Sequence, residues 1–226
     1  KEPAEVERIA AAAAIADRGF DHALGLIAPG ITEAEVALEL EFFMRRNGAE
    51  ATAFDFIVAS GPNGARPHAV PGGRRIERGD LVILDFGALV GGYCSDKTRT
   101  VCVGAVTDEQ RRLHEAVLEA NEAGLAAVRG GMPCVDVDRA ARDVLVGHGF
   151  GEFFTHGLGH GVGLDVHEIP TVGPRSTHSL RVGNVVTVEP GVYVAGVGGA
   201  RIEDLVVVEE SGYRLLSAAP KSLIEI

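Results

Sequence analysis

RGDLVILDFG, Arg78 to Gly87, returns later in the chain as VGNVVTVEPG, Val182 to Gly191. In each copy an apolar run ends in a carboxylate, Asp85 in the first and Glu189 in the second. Branched aliphatic residues fit a buried pleated surface, so each copy predicts a strand that delivers an acid at its end. The correspondence continues upstream at a nearly constant spacing: Gly30-Ile31 with Gly131-Met132, Glu35-Val36 with Asp136-Val137, and Gly48 with Gly149. Chance aligns a few glycines easily. It is a poor explanation for two acids aligned at the ends of two apolar strands.

Each copy reads as two helices followed by hairpin strands. Lys1 to Leu26 is alanine-rich, with Pro3 acceptable in a first turn and Pro29-Gly30 marking the end. Thr32 and Glu35 form a capping-box pattern for a second helix that runs to Asn47-Gly48. Phe54–Ala59, Leu81–Phe86 and Tyr93–Val103 read as strands, with a loop from Gly61 to Gly73 that carries His68. Helices follow at Asp108–Val128 and Cys134–Val146, then strands at Val185–Val188 and Arg201–Val208 with a turn around Gly196. Two such halves packed about a pseudo-twofold axis predict an α+β architecture, a shared antiparallel sheet backed by helices.

Between the last helix and the second apolar strand lies THGLGHGVGLDVHEIP, Thr155 to Pro170, with His156, His160 and His167 among alternating glycines. A helix there would lose about 1 kcal/mol at each interior glycine, so the segment is expected to be extended. An extended chain puts His156, Leu158, His160 and Val162 on one side and bare backbone on the other, where something approaches closely. His167 has the wrong parity to join His160 unless a bulge or turn intervenes.

A hairpin turning at Gly91-Gly92 sets Asp85 opposite Thr98 and leaves Asp96 as a diagonal neighbour on the same face. A turn at Gly196 sets Glu189 opposite Glu203. Asp85 and Glu189, each after an apolar run, are poor candidates for surface acids, whereas Asp96 and Glu203, taken singly, read equally well as such. If all four are buried together, their mutual repulsion and lost hydration demand compensation. Two divalent cations would balance four negative charges, with His160 as the one nitrogen ligand. Mostly oxygen donors suit manganese, cobalt or zinc better than copper.

The bulk properties agree with a catalytic rather than a nucleic-acid-binding protein. The 226 residues carry a formal net charge of -11, which opposes sequence-independent binding to nucleic acid. The uncharged apolar run Ile9–Ala16 is far too short to cross a bilayer. Three cysteines without paired spacing, Cys94, Cys102 and Cys134, favour a reducing compartment and hence the cytoplasm. The start at Lys1, without methionine, reads as a fragment of a longer protein.

LDFGALVGGYCSDKTRT, GHGVGLDVHE, TVEPGVY and ARIEDLVVV together resemble the pita-bread-fold metallopeptidases, the family of methionine aminopeptidases, aminopeptidase P and prolidase. The resemblance covers nearly the whole chain as one catalytic domain. Ile202 before Glu203, where methionine aminopeptidases typically carry glutamine, is similar to the proline-specific branch, as are the surroundings of His68, His156 and His167. By this resemblance Asp85 would hold one cation, His160 and Glu189 the other, and Asp96 and Glu203 both. Glu189 would also accept a proton from the attacking water, His68, His156 and His167 would contact substrate, and Arg201 would steady the ligands as part of the catalytic group. Arg175 would receive the terminal carboxylate of an Xaa-Pro dipeptide, although it reads equally as a solvated loop charge. The implied activity is hydrolysis of the bond preceding proline, with manganese the expected metal and a peptide with proline at its second position the substrate. The dipeptidase is preferred over the aminopeptidase. A methionine aminopeptidase and a non-catalytic binding module on the same fold are the alternatives. The resemblance also implies a homodimer in the full-length protein and an N-terminal accessory domain that these residues lack.

Overall fold

The computed structural model describes residues 1–226. The first half contains helices α1 (Pro3–Leu26) and α2 (Glu33–Arg46) and strands β1 (Ala51–Thr52), β2 (Ile57–Ser60), β3 (Leu81–Asp85), β4 (Ala88–Val90), β5 (Tyr93–Cys94) and β6 (Thr98–Cys102). The second contains α3 (Asp108–Ala127), α4 (Cys134–Gly147), β7 (Gly159–Gly161), β8 (Glu168–Val172), β9 (Val185–Val188), β10 (Gly191–Val194), β11 (Gly198–Arg201), β12 (Asp204–Val208), β13 (Tyr213–Leu215) and β14 (Ile224–Glu225). The capping box is formed as expected: Thr32 Oγ1 accepts from the Glu35 N–H at 3.2 Å, and the Thr32 N–H donates to Glu35 Oε2 at 2.8 Å. Thr107 and Gln110 cap α3 in the same way.

The duplication is written into the backbone hydrogen bonds. Ala49 N–H to Met44 O at the end of α2 matches Phe150 N–H to Leu145 O at the end of α4. Gly30 N–H to Ile76 O matches Gly131 N–H to Leu180 O, and Gly79 N–H to Val103 O matches Gly183 N–H to Val208 O. Each half has its own core. Phe20, Leu40 and Met44 meet Val58, Val82 and Leu84 in the first. Leu113, Val117 and Leu145 meet Leu158, Val186 and Val206 in the second.

The framework, antiparallel except where β14 pairs parallel with β6, is segmented into four hydrogen-bonded groups rather than one continuous ladder. β14-β6-β3-β2 form one group and β13-β12-β9-β7-β8 another, with β1-β4-β5 and β10-β11 as smaller ones. The expected long strands Tyr93–Val103 and Arg201–Val208 break at residues 95–97 and 202–203. These breaks carry Asp96 and Glu203. They turn those side chains out of the pleat, and the two halves are stitched there by Glu203 N–H to Thr98 O at 3.1 Å and by Thr100 Oγ1 to Arg201 O at 3.0 Å.

The histidine stretch departs from one continuous extended chain, since it pairs as a strand only at Gly159–Gly161 and again from Glu168, with bends between. His160 faces the cavity described below, but Leu158 is buried against α3 and α4 and Val162 against Val185 and Val207. The four residues therefore do not share one face. A register shift between His160 and Gly161 against β8, followed by bends, interrupts the alternation. What approaches the bare side is neighbouring backbone. A methyl group on Gly159 would collide with the Thr187 carbonyl, and one on Gly161 with the Ile169 carbonyl. Gly159→Ala should therefore force β7 from β9 and lower stability by about 1–3 kcal/mol, as overpacking does. Equilibrium denaturation measures this, and an unchanged midpoint would contradict the close approach.

Candidate metal centre

Asp85 closes β3 and Glu189 follows β9, so both corresponding strands end at one place. Asp85 stands opposite Thr98, and the pairs Val188–Asp204 and Gly191–Arg201 bracket Glu189 and Glu203 in the expected register. Asp96 and Glu203 are buried, at 5% and 1% exposure, which removes the surface reading of both. Ligand atoms of Asp96, His160 and Glu203 lie within 4.8 Å of one another. Glu189 Oε1 is 3.3 Å and Asp96 Oδ2 3.5 Å from His160 Nε2. Asp85 joins through Arg201, whose Nη2 reaches Asp85 Oδ2 at 2.5 Å.

The chemistry of these atoms fits cations. His160 Nδ1 bonds the Gly161 carbonyl at 3.1 Å, so it carries the proton and Nε2 presents a lone pair. That lone pair faces the carboxyl groups of Glu189 and Asp96. Asp85 Oδ1 is buried and unpartnered. Burial first, and then Glu203, Asp85 and Glu189, hold the Asp96 carboxyl well above the usual range. Burial followed by Glu189 and Asp85 does the same to Glu203. Burial pushes Glu189 up to about 8 against the pull of Arg201. Divalent ions would satisfy the lone pair, the orphaned oxygen and the crowded charge at once.

Three further side chains tie the cluster together, and none was singled out from the sequence. Thr98 Oγ1 donates to Glu203 Oε2 at 2.8 Å and accepts from Arg201 Nε at 3.0 Å. Thr187 Oγ1 accepts from the His160 N–H at 3.0 Å and lies 3.3 Å from Glu189 Oε1. Arg201 Nη1 donates to the Tyr193 hydroxyl at 2.7 Å, which lies 2.9 Å from His156 Nε2. A signal existed: Thr98 lies two residues after Asp96, Thr187 two before Glu189, and Tyr193 four after it, the spacing of one strand face.

Asp85, Asp96, His160, Glu189 and Glu203 line a cavity of about 840 Å³, and His68, His156, His167, Arg175 and Arg201 line it too. The His167 ring lies edge-on to His160 with centroids 4.3 Å apart, so the bend after β7 overcomes the parity difference. His156 is bonded to Tyr193 rather than to the carboxylates. Its segment is held from α4: Arg142 pairs with Asp138 and donates to the Phe154 and His156 carbonyls, and Asp138 accepts from the Leu158 N–H. Arg175 lines the cavity, exposed and without an ion-pair partner. Of the histidines without a motif, His22 stacks on Phe43, His114 is buried and His148 pairs with Glu119. The three cysteines are free and buried.

Two matched halves of helices and hairpins, with four carboxylates and His160 at their meeting line, make up the pita-bread fold of metallopeptidases. Residues 7–210 match the model of metallopeptidase family M24, and the chain belongs to that family. Membership implies divalent metal ions. The chain is 44% identical to the Xaa-Pro dipeptidase of Pyrococcus furiosus, over 97% of this chain and 63% of that protein. It is similar in structure to a Xaa-Pro dipeptidase from Bacillus anthracis, with a TM-score of 0.99 and 46% identity, covering 100% of this chain and 64% of that one. An X-Pro aminopeptidase from Thermotoga maritima gives a TM-score of 0.98 at 43% identity, again covering 100% of this chain and 64% of that one. The chain thus spans less than two thirds of the length of these relatives.

The electrostatics yield a metal-dependent pH response. In metal-free protein Glu189 stays protonated when folded up to about pH 8, but ionises near 4.5 when unfolded. Its protonation therefore supports the fold fully below about 4.5, and this support is lost as pH rises through about 8. Only above about pH 7.5, a unit over their unfolded value, are His114, His156 and His160, all held down to about 4 by burial, neutral in either state, so that they drop out. Metal-free protein should melt at lower temperature as pH rises from about 7.5 to about 8.5, and added manganese should flatten the slope. Calorimetry with and without the metal checks this, and no slope in the metal-free protein would contradict a crowded carboxylate cluster.

Proposed function

We propose that this chain is the catalytic unit of a dinuclear metal-dependent peptidase that hydrolyses the bond preceding proline, with Xaa-Pro dipeptides preferred over longer peptides. The convergence of Asp85, Asp96, His160, Glu189 and Glu203 in the wall of one cavity with His68, His167 and Arg175 carries the reading. The identities of 43–46% to proteins named for Xaa-Pro cleavage support it.

These five residues would hold two cations, for which manganese suits the oxygen-rich donor set; such a pair lowers the pKa of an attacking water and polarises a carbonyl. Glu189 accepts the proton of that water. General-base help of this kind is worth about 10²- to 10⁴-fold. His167, next to His160 and open to the cavity, meets the scissile carbonyl or passes a proton, and His68 approaches from the loop before β3. Arg201 restrains Asp85 and, through Thr98, Glu203. Arg175 offers a planar fork to the substrate's terminal carboxylate. The proposal places the protein in the cytoplasm as a homodimer in its full-length form; no helix is long and apolar enough to cross a membrane.

Chelation should abolish hydrolysis of Ala-Pro, and manganese should restore it. Glu189→Gln should lower kcat by about 10²-fold or more. Hydrolysis indifferent to metal would discard the mechanism. Arg175→Ala should raise KM for Ala-Pro by about 10-fold, as expected for a lost charge-assisted bond, and leave cleavage of Ala-Pro-Pro nearly unchanged. Equal losses on both peptides would move carboxylate recognition elsewhere in the cavity.

A further inference from the structure

The loop of residues 61–73, between β2 and β3, carries His68 to the cavity. Its outer part is open, with His68 exposed and Val70 81% exposed. Its base is built around a carboxylate that plays no part in the metal cluster. Glu33, in the first turn of α2, is completely buried. It accepts from the Ser60 N–H at 2.8 Å and the Ser60 hydroxyl at 2.7 Å, from Asn63 Nδ2 at 2.9 and 3.0 Å, and from the Gly72 N–H at 3.4 Å. Arg74 donates to the same Ser60 hydroxyl at 2.5 Å and pairs with Asp80 at 2.6 Å. Helix capping does not require this carboxylate, because Thr32 and Glu35 already close the start of α2. A buried acid persists only where donors compensate its lost hydration, and here those donors are the two ends of the loop.

Beyond its base the loop is guided toward the centre. Gly64 packs so closely on Gly199 of β11 that a Cβ on Gly199 would collide with the Gly64 carbonyl. Arg201 Nη1 donates to the Pro67 carbonyl at 3.3 Å, one residue before His68, while its Nη2 holds Asp85. Ala69, the next residue, is buried with Ala59, Ile83 and Tyr193, so the histidine is held by Arg201 and this contact on the metal side and by Glu33 at the root.

We propose that Glu33 is a positioning residue for the reaction: it never meets substrate, and it fixes the 61–73 loop so that His68 faces the scissile bond. The proposal rests on the function inferred above. Glu33→Gln keeps the size but turns a donor toward the Asn63 and Gly72 donors. With manganese-loaded protein and Ala-Pro, Glu33→Gln should lower kcat/KM by on the order of 10-fold. Combined with His68→Ala it should add no further loss beyond about twofold, the signature of two residues acting through one contact. Amide exchange by NMR should show Ser60, Arg66 and Gly72 loosened while β9 and β12 stay protected and bound manganese is unchanged. Asn63→Ala, which removes a partly exposed partner, should give the same pattern more weakly even if Glu33→Gln folds poorly. Losses that multiply with His68→Ala, unchanged exchange at the loop base, or loss of metal would each overturn the assignment. The exchange measurement does not depend on turnover, so a parent protein inactive on Ala-Pro would sink the substrate reading alone.

Discussion

Four carboxylates, Asp96 and Glu203 buried and Asp85 and Glu189 partly so, share one space, and the one cation of the chain that touches them, Arg201, is already committed to Asp85. Like charges at this separation, out of water, cannot all remain ionised without positive charge among them. Asp96, Glu189 and Glu203 respond by holding protons more tightly, and His160 by turning its lone pair toward the same point. The rest of the molecule makes this unfavourable arrangement sustainable. Two apolar cores supply the stability, and the acids are set at strand ends and strand breaks, where no ladder hydrogen bond has to be given up for them.

Duplication accounts for how distant residues meet. β3 and β9 each end in an acid because they are the same element twice, and their partner strands each break to release a second acid. The second helix of each half then takes on a matching task with different residues. α2 holds the His68 loop through Glu33, and α4 holds the His156 segment through Asp138 and Arg142. Helices outside the site thus set histidines inside it.

The sequence made the two acid-tipped strands, both hairpin registers and the helix boundaries legible, because each rests on local periodicity, capping or turn chemistry. It also announced that something presses on Gly159 and Gly161, which proved to be the carbonyls of Thr187 and Ile169. Leu158 and Val162 leave the expected face because strict alternation assumes a continuous pleat, whereas pairing begins only at Gly159, after Leu158, and shifts register after His160, before Val162. Tyr193, Thr98 and Glu33 escaped for a different reason. Thr98 and Tyr193 carry the spacing of a strand face, but their partners Glu203 and His156, like Ser60 and Gly72 for Glu33, lie across stretches of chain that no local pattern connects. Burial of Asp96 and Glu203 likewise follows from the way the halves close on each other, not from their immediate neighbours.

The account stands on cations bound where these acids converge. Diffraction from crystals grown with manganese, recorded for the metal's anomalous signal, tests it directly. Two peaks enclosed by Asp85, Asp96, His160, Glu189 and Glu203 are predicted. No anomalous density there, or manganese held only by exposed acids elsewhere, would contradict it.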